Sequence, residues 1–153
     1  MKHRRAFFPG TFDPFTKGHE AIVHKGLLLF DEITIGLGIH STKTPYFSVE
    51  SRKMHILSLF PSLPVSVISY NGLTIEACRE AQCSMILRGL RDSKDFQYER
   101  SIAHMNADLG SIQTVFLLTS LANSAINATI VREIHQNQGD ITKFVTNSNL
   151  LVK

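Results

Sequence analysis

The sequence predicts an α/β fold, a five-stranded parallel sheet covered by helices on both faces. Two observations predict it. Short β-branched or aromatic runs alternate with helix-period segments five times along the chain, and that alternation builds parallel sheets with helices on either side. No repeat, low-complexity stretch or linker breaks the alternation, and 153 residues suit a single domain, residues 1–153, with a substantial core.

Each element has its own signal. Arg4 to Phe8 reads as the first strand, closed by Pro9-Gly10. His19 to Phe30 reads as a helix, with Ile22, Val23, Leu27 and Phe30 on one stripe. Glu32 to Leu37 is short and β-branched, a second strand. Ser48 suits an N-cap, and Glu50 suits the positive end of a helix running to about Phe60. Val65 to Ser69 is a strand ended by Asn71-Gly72. A short helix over Thr74 to Ala81 and a buried strand over Met85 to Leu87 follow. Asp95 is the expected cap of a helix to about Leu109, carrying Phe96, Ile102, Met105 and Leu109. Thr114 to Leu118 is the fifth strand. Thr129 is the expected cap of a last helix to Gln136, and Gly139-Asp140 opens a short C-terminal segment.

Composition excludes several classes. The chain is 43% hydrophobic and 19% charged, an ordinary globular balance. No apolar run approaches the roughly 20 residues of a membrane span. Met1 to Arg5 resembles a signal n-region, but Ala6-Phe7-Phe8 is too short for the apolar stretch that must follow. A cytoplasmic protein is expected. Cys78 and Cys83 form no metal or disulfide framework by spacing. A net charge of +3, scattered, argues against nucleic acid and suits a small anionic ligand.

In such sheets ligands bind beyond the carboxyl ends of the strands, where the strand order reverses. Four loops there carry chemistry. The first, FFPGTFDPFTKGHEAIV, has Gly18 before a helix and His19 in its first turn, beside the N–H groups that attract phosphate. HEAIVH spaces its histidines by five, about 140° apart on a helix, so zinc is rejected. The second loop, GIHSTKTPYF, carries Lys43. In the third, ILRGLRDSKDF, Arg88 and Arg91 flank Gly89, and arginine binds phosphate bidentately. The fourth, TSLANSAINATIVRE, is small, polar and opens a helix. Gly36-Leu37-Gly38 lacks the third glycine of a dinucleotide fingerprint. The pattern gives a multi-phosphate site without an acidic metal cluster, a nucleophile–base pair or a Walker lysine, suited to charge stabilisation rather than a covalent intermediate.

These motifs resemble a known family. Thr16-Lys17-Gly18-His19 is similar to the T/HxGH signature of the nucleotidylyltransferase superfamily. With ILRGLRDSKDFQYE and His104-Met105-Asn106, the chain from about Arg5 to Val145 resembles bacterial phosphopantetheine adenylyltransferase. The resemblance implies a Rossmann-like fold, Mg²⁺ held mainly by phosphates rather than protein side chains, and adenylyl transfer from ATP to 4'-phosphopantetheine. It also implies a homohexamer and coenzyme A as a feedback ligand. By position, Thr11 would hold the attacking phosphate and the nucleotide, and Phe12 would offer ATP a backbone contact. His19 would stabilise the pentacovalent transition state. Lys43 and Arg88 would grip the phosphate of phosphopantetheine, and Thr74 would touch its arm. Gly89, Leu90, Arg91 and Glu99 would bind the nucleotide. Asn123, Ser124, Ala125, Ile126, Asn127, Ala128 and Thr129 would hold the triphosphate.

The chain departs from the family pattern in its last motif. Ile126-Asn127-Ala128-Thr129 stands where members carry a serine-rich ISSS or ISST, and Asn123 replaces an aromatic residue. Phe8 stands where several members have tyrosine. Two other readings remain open on the sequence: another small-molecule nucleotidylyltransferase, and a non-catalytic coenzyme A-binding module.

Overall fold

The computed structural model describes residues 3–153. Strands β1 (Arg5–Gly10), β2 (Glu32–Gly38), β3 (Val65–Tyr70), β4 (Met85–Leu90) and β5 (Gln113–Leu118) form a parallel sheet in the order β3-β2-β1-β4-β5. Helices α1 (Lys17–Gly26), α2 (Val49–Leu59), α3 (Thr74–Glu80) and α4 (Ser93–Gly110) connect successive strands, and α5 (Ala128–Gln136) follows β5. The predicted α/β class is therefore the observed one.

Alternation along β1 builds the two layers of core. Ala6 and Phe8 join Ile22 and Val23 of α1, Ile33, Ile35 and Leu37 of β2, and Ile56 of α2. Phe7 points the other way, onto Ile75 and Cys78 of α3 and Ile86 of β4. Gly36 is required beside it, because a Cβ there would lie 2.2 Å from the Phe7 ring. A third cluster, Phe47, Val131, Ile141, Val145 and Leu151, fixes the C-terminal segment against the α2 entrance and α5.

One seam is unlike the others. β1–β2, β2–β3 and β4–β5 each pair over six residue positions, but β1 and β4 pair only at Ala6↔Met85 and Phe7↔Ile86. The order of strands reverses at this seam, and beyond Phe7 the two strands part. A crevice opens where the rule for open α/β sheets puts a ligand. Arg88 crosses it, donating from Nη1 to the Pro9 carbonyl.

Several element boundaries differ from expectation. α1 starts at Lys17 and stops at Gly26, and Phe30 is buried by the turn that follows. β4 runs on to Leu90, so Arg88, Gly89 and Leu90 lie on the strand and not in a loop. Ser48 caps α2 as expected, accepting from the Ser51 N–H at 3.2 Å. The cap of α4 is Asp92, not Asp95: the Asp92 carboxylate accepts from the Asp95 N–H at 2.9 Å, which frees Asp95 for Arg91. The cap of α5 is Asn127, not Thr129, with its Oδ1 accepting from Thr129 and Ile130 N–H groups at 2.8 and 3.3 Å. An acceptor one position before the first helical residue reaches those N–H groups, which Thr129, already inside the helix, does not.

Candidate active site

The first loop is shaped by its aromatic residues. Phe12 takes a left-handed backbone, φ 48°, unusual for a residue with a Cβ and costing about 1–2 kcal/mol. The turn drives its ring into the core between Phe8, Phe15 and His19, at centroid distances of 5.1, 4.9 and 5.0 Å. Gly10 makes room: a Cβ there would stand 2.7 Å from Phe12 Cζ. Thr11 is left exposed at the mouth of the crevice.

His19 is half-buried on the first turn of α1. The Thr16 N–H donates to its Nδ1 at 3.0 Å, and Thr16 Oγ1 lies 3.1 Å from the same nitrogen. Burial, then the positive fields of Arg88 and Arg91, hold the imidazole pKa down to about 3. His19 is thus neutral near pH 7, and with Nδ1 accepting, its proton sits on Nε2. The arrangement is a hydrogen-bond donor of fixed tautomer. The helix N-terminus beside it is less open than expected, because the Lys17 N–H donates to Phe144 O at 2.9 Å.

Two clefts meet at the crevice. One, of about 440 Å³, is lined by Thr11, Thr74, Arg88, Glu99, Ile102 and Asn106 among others. The second, of about 360 Å³, is lined by Thr11, Phe12, His19, Gly89, Arg91, Glu99, Asn123 and Ile126 to Thr129. They share Gly10, Thr11, Arg88 and Glu99. Of the residues expected at the acceptor, Thr11, Thr74 and Arg88 line the first cleft, and of those expected at the nucleotide, Thr11, Phe12, His19, Gly89, Arg91, Glu99, Asn123 and Ile126 to Thr129 line the second. Lys43 is the exception. It lines a third cleft of about 580 Å³ without Arg88, joined to the others through Thr11. Leu90, Ser124 and Ala125 line none of the three; the Leu90 side chain is buried, and its carbonyl accepts from the Thr119 N–H and hydroxyl.

The two arginines of the RGLR segment have different partners. Arg88 donates from Nε, at 2.9 Å, and from Nη2 to the two carboxylate oxygens of buried Glu99. Arg91 donates from Nε and Nη2 to Asp95 at 3.0 and 3.1 Å, nearer solvent. That hydrogen-bonded pairing pulls the Asp95 pKa down and pushes the Arg91 pKa up. Glu99 therefore fixes Arg88 at the junction of the two clefts.

Three charged residues that sequence reasoning did not assign stand behind the first loop. The buried Asp13 carboxylate accepts from the Tyr46 and Phe47 N–H groups at 2.7 and 2.9 Å. Arg132 donates to the Asp13 carbonyl at 2.6 Å and to Thr129 Oγ1 at 3.1 Å. Arg52, 2% exposed, donates to the Thr11 carbonyl at 2.5 Å. The contacts that tie them to the first loop run between side chain and backbone across 33 to 119 residues of sequence, and no spacing rule announces those.

Comparison with known proteins shows the family of the chain. The Cytidylyltransferase-like family matches residues 7–134. The phosphopantetheine adenylyltransferase of Flavobacterium psychrophilum is 48% identical over 143 residues, 93% of this chain and 95% of that protein. The chain belongs to the phosphopantetheine adenylyltransferase family. Another relative, the phosphopantetheine adenylyltransferase of Bacteroides thetaiotaomicron, is 43% identical over the same shares of the two chains. Membership in this family does not favour a different nucleotidylyltransferase. The fold has a wider circle: a bifunctional NMN adenylyltransferase/ADP ribose pyrophosphatase from Francisella tularensis superposes with a TM-score of 0.74 at 17% identity, over 98% of this chain and 47% of that one. At that identity the likeness is one of Rossmann-like architecture.

Proposed function

We propose that this chain transfers the adenylyl group of ATP to 4'-phosphopantetheine, giving dephospho-coenzyme A and pyrophosphate in coenzyme A synthesis. One observation carries the mechanism: two clefts meet at Thr11, Arg88 and Glu99, and a neutral His19 lines the second. The acceptor lies in the first cleft, with Thr74 along its arm and Arg88 at its phosphate. The nucleotide lies in the second, over Phe12, Gly89 and Arg91, with its triphosphate toward Asn123 to Thr129. Lys43 serves from the neighbouring cleft, across Thr11.

The nucleophile is a phosphate oxygen, already anionic, so no general base is needed. It attacks the α-phosphorus in line, and the bond from that phosphorus to the bridging oxygen breaks as pyrophosphate leaves. The barrier comes from bringing two polyanions together and from charge growing on the α-phosphoryl oxygens. Arg88, Arg91 and Lys43 offset the first. The His19 Nε2–H donates to the second. Where Mg²⁺ binds, phosphate oxygens must supply most of its ligands. Asp13 and Glu99 accept from backbone N–H groups and Arg88, and Asp95 from Arg91. When bound, Mg²⁺ neutralises triphosphate charge.

The homohexamer, feedback by coenzyme A and a cytoplasmic setting belong to the same proposal. Tyr98, Met105 and Leu109 of α4 are 62–69% exposed, apolar surface that neighbouring copies would cover. No helix of the described residues is long and apolar enough to cross a membrane. The test of function is pyrophosphate release from ATP with a panel of phosphate acceptors. Release with 4'-phosphopantetheine, and little with nicotinate or nicotinamide mononucleotide, is expected. Coenzyme A binding without release would reassign the chain as a non-catalytic module.

A further inference from the structure

We infer that Arg52 is a positioning residue for adenylyl transfer, the keystone of a buried clamp that holds Thr11 in its working place. The inference rests on the role given to Thr11 above. Thr11 precedes the left-handed Phe12, a conformation that a non-glycine residue keeps only when its surroundings impose it. Aromatic rings hold the Phe12 side chain, and a polar clamp holds the Thr11 carbonyl beside it. Arg52 reaches from α2 to the Thr11 carbonyl through Nη1, at 2.5 Å, and to the Phe47 and Ser48 carbonyls through Nε, at 3.0 and 3.4 Å. Among the described residues it pairs with no carboxylate, and its donors go to backbone carbonyls of two loops. Asp13 ties the same two loops in the opposite sense, accepting from the Tyr46 and Phe47 N–H groups. Arg132 closes the third side at the Asp13 carbonyl.

The loop so held to the Thr11 turn is the one that carries Lys43. One guanidinium thereby sets the spacing between two residues proposed to hold the acceptor phosphate. A displacement of about 1 Å at a reacting centre lowers rates by about 10²-fold. A residue acting this way governs kcat more than substrate affinity. Arg52 itself is almost fully buried, which leaves it little surface for a substrate.

The test uses the full-length protein with Arg52→Met and Arg52→Lys, assayed by pyrophosphate release with ATP and 4'-phosphopantetheine. Arg52→Met should lower kcat by about 10–100-fold while the KM for ATP changes less than about threefold. Arg52→Lys keeps the charge and part of the donor set, and should recover at least a third of that loss on a logarithmic scale. A folded Arg52→Met with kcat within twofold of wild type overturns the inference, as does a loss confined to KM. If Arg52→Met does not fold, Asp13→Asn, which removes one acceptor from the same clamp, must show the kcat-specific loss, and its absence is equally decisive. If the wild type transfers no adenylyl group, the proposed function fails. The clamp is then judged by amide exchange at Tyr46 and Phe47, which should quicken at least tenfold in Arg52→Met; unchanged exchange overturns it.

Discussion

The first and last loops of the site are built on opposite plans. The first, from Gly10 to His19, is held from several sides before any substrate arrives. Its aromatic rings are buried, its carbonyls are taken by Arg52 and Arg132, and its histidine is locked by Thr16. The last, from Leu121 to Ala128, is held mainly by itself. Leu121 is 94% exposed, a single 3₁₀ turn spans Leu121–Asn123, and Asn127 bends back to cap α5. In the proposed mechanism, the donor to the charge that develops in the transition state is fixed in advance. The loop proposed to receive the triphosphate and release pyrophosphate is an exposed turn closed by its own short-range hydrogen bonds. Side chains of the first loop should therefore be worth far more than those of the last.

The steepest expected effect is on the first loop. His19→Ala should lower kcat by about 10²–10³-fold with small changes in KM, read by steady-state kinetics. A near-normal kcat would break the contrast at once. Next comes the seam between the clefts. Arg88→Met should weaken 4'-phosphopantetheine much more than ATP in titration calorimetry. It also strands the buried Glu99 carboxylate, a loss of about 3 kcal/mol or more in unfolding experiments. Equal weakening of both substrates would show that Arg88 belongs to the two clefts alike.

The last loop should respond more mildly. Asn127→Ala removes the cap of α5 and should cost about 1 kcal/mol of stability, checked by thermal unfolding. Its effect on ATP affinity should stay under tenfold. Smallest is Ala128→Ser. The cap already occupies the Thr129 and Ile130 N–H groups, so phosphates in the proposed position would meet a turn in which Ala128 offers its backbone. A restored hydroxyl should improve ATP affinity by less than tenfold. A much larger gain would mean that the missing serines had disabled the loop.

The contrast also explains what was legible in the sequence. Strand and helix order followed from hydrophobic period, and Gly10, His19, Arg88 and Arg91 followed from their places at strand ends. Local signals went wrong at caps, where Asp92 and Asp95, or Asn127 and Thr129, compete within three residues and only the backbone path decides. β4 ran three residues further than expected because Arg88 and Gly89, which interrupt its apolar run, still pair with β5 at Phe116 and Leu117. Arg52, Asp13 and Arg132 were invisible for a different reason. Each reaches the first loop or ties it through backbone groups, and a backbone N–H or carbonyl leaves no residue-type signature. The histidine's neutrality was hidden as well, since it arises from burial together with two arginines about 70 residues away in sequence.

That neutrality has a pH consequence. With the His19 pKa lowered from 6.5 to about 3, the stability of the fold is undiminished above pH 6.5 and falls as pH drops toward 3, because the unfolded chain takes up a proton that the folded imidazole does not. It also makes the claim of a prearranged donor directly measurable. In the ligand-free protein, nitrogen-15 NMR of the His19 imidazole from pH 5 to 8 should show one neutral tautomer throughout, protonated at Nε2 and bare at Nδ1. A titration near pH 6.5, or a proton on Nδ1, would contradict the account.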